Sequence, residues 1–273
     1  MIQNRKQDRL YDLINKGAFL PISALDVSTG RIDNSVFNRK SILAEMTDVD
    51  TTERIIGQGV ASGLQITFPT SARVLSLAST STNDIAGGSG CQTIFVEGLD
   101  TNKLPIGEFV TMNGQTEVDT IKLFLRITNL FAQNTGAGNT NAGIIRVSDS
   151  TDTFVGGVPQ TRLYEVMAIG HSLGKTGIYT VPFDCTFYFK QIIINTDLTS
   201  NKIITIKVYK RAPNFTTTDT WYLDNVFYVD RSQQIYIDGQ ANTPGGGDIK
   251  ITALTDAGTA KLAIKIHGIL KKN

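Results

Sequence analysis

The sequence predicts a mainly β protein. It would comprise one or two antiparallel β-sandwich or jelly-roll bodies behind an extended N-terminal arm that contains one short helix. Three observations carry this expectation. Apolar residues come in short alternating runs, such as Val74-Leu75-Ser76-Leu77 and Cys91-Gln92-Thr93-Ile94-Phe95-Val96, the period of a half-buried strand. Clusters of Ser, Thr, Asn and Gly punctuate the runs, as turns require. Only one segment, residues 4–16, has a helical period.

That segment opens on Asn4 and Gln7, a capping-box arrangement. Leu10, Leu13 and Ile14 share one face, with Tyr11 at its edge, and Gly17 offers a left-handed stop. A helix of about 12 residues is marginal alone in water, so its stripe needs a surface. Leu10, Leu13, Ile14 and Phe19 are therefore the candidate assembly contacts. Residues 18–61 show no clean period and carry an acidic stretch, Thr47 to Glu53. A stretch of that kind is unusual inside a compact domain, and it reads as an arm that orders across neighbouring subunits. The arm spans residues 1–60, a first body 61–158 and a second body 159–273.

In the first body, Ile121, Leu123, Leu125 and Ile127 alternate with Lys122, Phe124, Arg126 and Thr128. The first set is expected to face a core, the second another layer or a partner. Asn113-Gly114 between Phe109-Val110-Thr111 and Thr116-Glu117-Val118 reads as a two-residue hairpin. Residues 134–143 form a Gly/Asn-rich loop, and 149–163 a connector with Gly156, Gly157 and Pro159. The second body follows through Phe187-Tyr188-Phe189, Ile192-Ile193-Ile194, Ile203 to Lys210, Trp221 to Val229, Ile249-Lys250-Ile251 and Leu262 to Ile269. This spacing suits a sandwich or jelly roll.

Composition narrows the function. Charged residues make up 19% and the net charge is +1, so no basic excess serves a phosphate backbone and nucleic acid is not an expected partner. No apolar run approaches the roughly 20 residues that span a bilayer, and the N-terminus reads as a polar helix rather than a secretory leader. Cys91 and Cys185 are expected to be free thiols in strands.

Several motifs resemble those of a family of tailed-phage virion proteins. They are Phe68-Pro69-Thr70-Ser71-Ala72, Gly87-Gly88-Ser89-Gly90, Val96-Glu97-Gly98-Leu99-Asp100, Val110-Thr111-Met112-Asn113-Gly114, Phe124-Leu125-Arg126-Ile127, Asn141-Ala142-Gly143 and Tyr179-Thr180-Val181-Pro182. The resemblance spans most of residues 57–270. It implies a non-enzymatic virion component, made in the host cytoplasm, that assembles with other virion proteins and as a homo-oligomer, a trimer being the expected form. An auxiliary capsid or head-decoration protein is the favoured station. A tail, collar or baseplate component, or a carbohydrate-binding host-contact module, is the alternative.

Other motifs suggest chemistry and fall short of it. Gly170-His171-Ser172-Leu173-Gly174 has the letters of a nucleophile elbow. That elbow needs a helix after the serine, and Lys175-Thr176-Gly177-Ile178-Tyr179-Thr180-Val181-Pro182 is a poor helix. His267, the one downstream histidine, shares a strand face with Lys261 and Lys265. Gly174-Lys175-Thr176 lacks the upstream glycine and the helix of a phosphate loop. Asp48, Asp50 and Glu53 lack the ligand density of a calcium site. Phe187, Tyr188, Phe189, Trp221 and Tyr222 are read as core plus half-exposed aromatics rather than a sugar platform. No cofactor or metal is expected.

Overall fold

The computed structural model describes residues 37–57, 64–198, 202–213, 220–237 and 241–273. The candidate helix at 4–16 lies outside them, as does residue 36 and everything before it. All regular structure among the described residues is β, in antiparallel sheets.

The chain starts with β1 (Phe37–Val49) and β2 (Arg54–Ile55). Nine strands follow in a separate body: β3 (Leu75–Ser79), β4 (Cys91–Leu99), β5 (Pro105–Thr111), β6 (Val118–Asp119), β7 (Arg126–Thr135), β8 (Ile145–Asp149), β9 (Phe154–Val155), β10 (Val158–Pro159) and β11 (Glu165–Met167). The chain then rejoins the first strands through β12 (Ile178–Thr180), β13 (Cys185–Thr196), β14 (Ile204–Arg211), β15 (Tyr222–Val229), β16 (Gln233–Tyr236), β17 (Asn242–Thr243), β18 (Asp248–Thr255) and β19 (Ala260–Lys272).

The outer body pairs in a nested way. First goes with last, β1 with β19; then β12 with β18, β13 with β16 and β14 with β15. Side-by-side pairing of β19 with β13 and of β18 with β14 gathers these ribbons into two sheets, ordered β1-β19-β13-β16 and β12-β18-β14-β15. Their inner faces share one core. Ile42, Ala44 and Met46 of β1 and Leu262, Ile264 and Ile266 of β19 meet Ile204, Ile206, Val208, Ile249 and Ile251. On β13 the inward residues change parity, from Phe187 and Phe189 to Ile192 and Ile194. The register against β19 slips between Phe189 and Gln191, and that bulge inserts the extra residue that the change demands.

Residues 37–49, expected within the extended arm, are thus a long strand of this body, in register with β19 from Phe37↔Lys271 onward. Its inward residues include Ala44 and Met46, which carry little strand signal, so its alternation is faint in the sequence.

The second body is an insertion into a single strand. Ile56 donates to Ile251 O, Gly177 to Ile56 O, and Ile251 to Gly177 O. β2 and β12 therefore lie end to end along β18, at Ile55↔Thr252 and Ile178↔Lys250. The chain leaves at Gly57 and returns beside it at Thr176, its bridge partner. The boundary falls here rather than near 158; β9 and β10 make a hairpin over Gly156-Gly157 inside the inserted body, where the connector was expected.

The inserted body stacks the sheet β11-β8-β3-β6 on the sheet β5-β4-β7 around Leu75, Leu77, Ile94, Val96, Leu130 and Val147. Two expectations are corrected. Ile121 and Leu123 do not face a core: they are 91% and 55% exposed, while Phe124 is fully buried. The strand starts only at Arg126 and the chain bends at 121–122 before Phe124 bridges Arg73, so strand alternation does not run through 121–124. Asn113-Gly114 does turn, with Gly114 at φ 64°. However, β5 pairs with β4 and β6 with β3, so the turn carries the chain between sheets instead of closing a hairpin.

Candidate functional site

The candidate assembly contacts Leu10, Leu13, Ile14 and Phe19 lie outside the described residues. What the structure does bring together is a buried polar seam between the two bodies. Its centre is Asp248, fully buried at the start of β18, and Arg126, 3% exposed at the start of β7. Arg126 Nε and Nη2 donate to the two carboxylate oxygens at 3.1 and 3.2 Å. Arg211 of β14 donates Nε to Oδ2 at 3.0 Å, with a second bond from Nη2. Thr180 of β12 donates its hydroxyl to Oδ1. Arg126 Nη1 also bonds Pro69 O and Leu125 O at 2.6 and 2.7 Å.

Aromatic rings pack over these cations. Arg126 and Arg211 lie 5.2 and 5.5 Å from the Phe68 ring centre, and Arg211 and Lys250 lie 4.6 and 4.5 Å from Trp221. A buried carboxylate is tolerable only when paired and hydrogen-bonded, and this one is shared by groups from both bodies. The seam continues through Lys40–Glu97 at 3.5 Å and Lys175–Glu45 at 2.5 Å.

One buried acid along the seam has hydroxyl and amide donors but no cation among the groups that set its pKa. Glu165, in β11, accepts from Thr176 Oγ1 at 2.6 Å and from the Val166 N–H at 3.0 Å. It borders a small cavity of about 20 Å³ that Ser41 and Leu43 of β1 and Asn129 of β7 help to line. Burial pushes its carboxyl up from 4.5 to about 7, against the two hydrogen bonds.

The sequence motifs that suggested chemistry have structural partners. Ser172 O accepts from Ala132 N and Gly174 N donates to Leu130 O, both at 2.9 Å, and Leu173 bridges Phe131. Residues 172–174 thus run extended along β7, and no helix follows the serine. His267 faces Ser41 across the β1–β19 ladder, Nδ1 to Oγ at 3.0 Å. Lys175 and Thr176 are held by Glu45 and Glu165, as above. Glu53 takes Lys207 at 2.5 Å, Tyr209 at 2.8 Å and Thr252 at 2.7 Å, and Asp50 takes Arg54 at 3.0 Å. Among the described residues no three His, Cys, Asp or Glu side chains gather as metal ligands. Phe187 and Phe189 are core, edge to face at 4.9 Å. Cys91 is a buried free thiol and Cys185 a half-buried one.

Several of the sequence motifs converge on structural locks. Asp84, fully buried, accepts from Cys91 N at 2.6 Å, Ala142 N and Gly143 N at 2.8 Å, and Ser79 Oγ at 2.5 Å. It ties the Gly87–Gly90 loop to the Asn141-Ala142-Gly143 loop. A Cβ on Gly90 would sit 2.2 Å from its Oδ1, and one on Gly98 would sit 2.2 Å from Arg126 O and 2.6 Å from the Phe124 ring. These glycines are places where two segments touch.

Exposed apolar side chains form two further surfaces. Tyr222, Leu223 and Tyr228 stand out from β15, an edge strand, and Tyr236 from β16, the edge of the other sheet. On the inserted body, Phe109 of edge strand β5 stacks on Phe95 at 4.8 Å, near Ile121, whose N–H is held by Glu108. Sheet edges and exposed apolar groups can bind by backbone pairing and by area. Asp84, Glu165 and Asp248 escape pattern reading. Glu165 is signalled only as a lone acid inside the apolar run Leu163-Tyr164-Glu165-Val166-Met167, while Asp84 and Asp248 stand in turn-rich stretches.

No protein-family model and no curated protein matches the chain. Solved structures with a weak likeness are particles of infectious bursal disease virus. The Gt strain structure has a TM-score of 0.21 and 11% identity, covering 87% of this chain and 77% of that chain. The VP2 subviral particle has a TM-score of 0.20 and 12% identity, covering 86% and 76%. Likeness at this level carries no weight for the fold or function of this chain.

Proposed function

We propose that the chain is a non-enzymatic structural component of a tailed-phage particle, with a head-decoration or auxiliary capsid role. The observation that carries the reading is the architecture of the outer body. Nested pairing of first strand with last, gathered into two interleaved sheets, is a jelly roll, an architecture that capsid and lectin domains share. A second β body interrupts one of its strands and is clamped back by the Asp248 seam. Such a body makes a rigid brick, with the edge strands β15 and β5 and their apolar side chains available for neighbours. The family motifs support the same reading. Assembly would proceed through these edges and through residues 1–36, as a symmetric homo-oligomer and with other virion proteins.

The test is the copy number of this chain per purified particle, by quantitative mass spectrometry against the major shell protein. Hundreds of copies support the head role. A dozen or fewer move the chain to the tail, collar or baseplate. Absence from particles refutes the virion reading.

A further inference from the structure

A second site lies away from the seam's carboxylates. A pocket of about 530 Å³ opens in the inserted body, between the segment from Leu64 to Arg73 and the segment from Thr161 to Tyr164. That volume falls in the range of small-molecule sites, about 300–1,000 Å³. It far exceeds what an inorganic ion needs.

Arg73 and Arg162 line it and none of the lining residues is acidic. Two acids stand behind that lining: Asp149 beside the two arginines, and Asp152, which accepts from the Thr161 and Arg162 N–H groups. Hydrogen bonds outweigh burial in both and keep their carboxyls below the ordinary value. The two acids balance the two arginines, so the attraction for an anion rests on the open guanidinium of Arg162 and not on net charge.

The two arginines are used differently. Arg73 is spent: Nε bonds Ser71 O at 3.2 Å, Nη1 bonds Asp149 and Tyr164 Oη, and Nη2 bonds Thr70 Oγ1 and Ser71 Oγ at 3.3 and 3.0 Å. The Arg162 side chain is 48% exposed, and its nearest carboxylate oxygen is 3.9 Å away, beyond hydrogen-bond reach. Its planar fork matches a carboxylate, two N–H groups to two oxygens. Around it, Thr161, Thr67 and Gln65 supply hydroxyl and amide groups, and the part of Phe68 that is left uncovered by Arg126, Arg211 and Trp221 supplies an apolar edge.

We propose that this pocket binds a monosaccharide-sized acidic sugar. The sugar carboxylate pairs with Arg162, its hydroxyls with the polar rim, and its C–H groups meet Leu64 and the edge of Phe68. The inference stands apart from the virion reading, because the binding is a property of the isolated chain.

The test is titration of the purified full chain, followed by calorimetry or NMR shifts, with galacturonate and N-acetylneuraminate. Galactose, acetate and inorganic phosphate are the controls. The expected result is saturable millimolar binding of an acidic sugar, at least about tenfold tighter than any control. Arg162→Ala is expected to weaken it by at least about tenfold with Tm unchanged, and Arg162→Lys to restore part of it, since Lys keeps the charge without the fork. Three results overturn the proposal: no saturable binding of either acidic sugar, equal binding of phosphate or acetate, or undiminished binding by Arg162→Ala. Should the alanine variant lose its fold, the same comparison is read from Arg162→Lys and from Thr161→Val.

Discussion

Glu165 sets a pH dependence that can be measured directly. The folded protein holds its carboxyl near pKa 7, against an ordinary 4.5. Between these two values the native state keeps a proton that the unfolded chain has released. Stability therefore falls as pH rises through the window from 4.5 to about 7. The contribution is complete below the lower value and gone above the upper one. A difference of 2.5 (7 − 4.5) at 1.36 kcal/mol each is about 3 kcal/mol. For a chain of this size that is roughly 6–12 °C in Tm. Glu165→Gln keeps the shape and removes the proton equilibrium. The assay is urea or thermal unfolding of both proteins from pH 4.5 to 8.5. Other titrating groups cancel in the difference between the two curves, which should change by about 3 kcal/mol in favour of the glutamine variant with rising pH. A difference that stays flat across the window would refute the reasoning, because it would mean that Glu165 is solvated or paired in solution.

Other outcomes follow from the same geometry. Asp248→Asn removes the charge that the buried Arg126 and the half-buried Arg211 share and should cost about 3–5 kcal/mol, read as a drop in urea midpoint. Asp84→Ala leaves several buried donors unanswered, at about 1–3 kcal/mol for each one that water does not reach; limited proteolysis should then cut within residues 81–90 or 134–143, sites that the native protein protects. Gly98→Ala drives a Cβ into Arg126 O and should cost about 1–3 kcal/mol through overpacking. Replacing residues 58–175 with a short turn should leave a chain that still unfolds cooperatively, because Gly57 and Thr176 are already bridge partners; loss of a cooperative transition would show that the outer body depends on its insertion.

How far the fold was legible depended on the strength of each local pattern. β19 reads directly, since Leu262, Ile264 and Ile266 alternate with Lys261 and Lys265 and all three apolar side chains are core. β1 does not, since an alanine and a methionine stand where a β-branched residue would have announced the strand. The β13 bulge defeats simple alternation, because one extra residue moves the inward face from Phe189 to Ile192. The insertion was the hardest feature to see. Nothing local distinguishes a strand that continues from one that resumes at Thr176 after the 118 residues 58–175 (175 − 58 + 1). Only the shared partner β18 joins the two halves.

The site was less legible, for a related reason. Periodicity reports which face a residue occupies and is silent about what lies opposite. Arg126 shows this: its face was readable as one turned to a second layer or a partner, while the partner, Asp248, lies 122 positions away on another body. The sequence motifs divide along the same line. Gly90, Gly98 and Asn141-Ala142-Gly143 mark points where backbone meets backbone or a buried carboxylate. The surfaces proposed to meet a partner or ligand, Tyr222 to Tyr228 on β15, Phe109 and Ile121 on the inserted body, and Arg162 at the pocket, all lie outside those motifs. The motifs therefore bear on the scaffold, and the assignment of partner and ligand rests on these exposed residues.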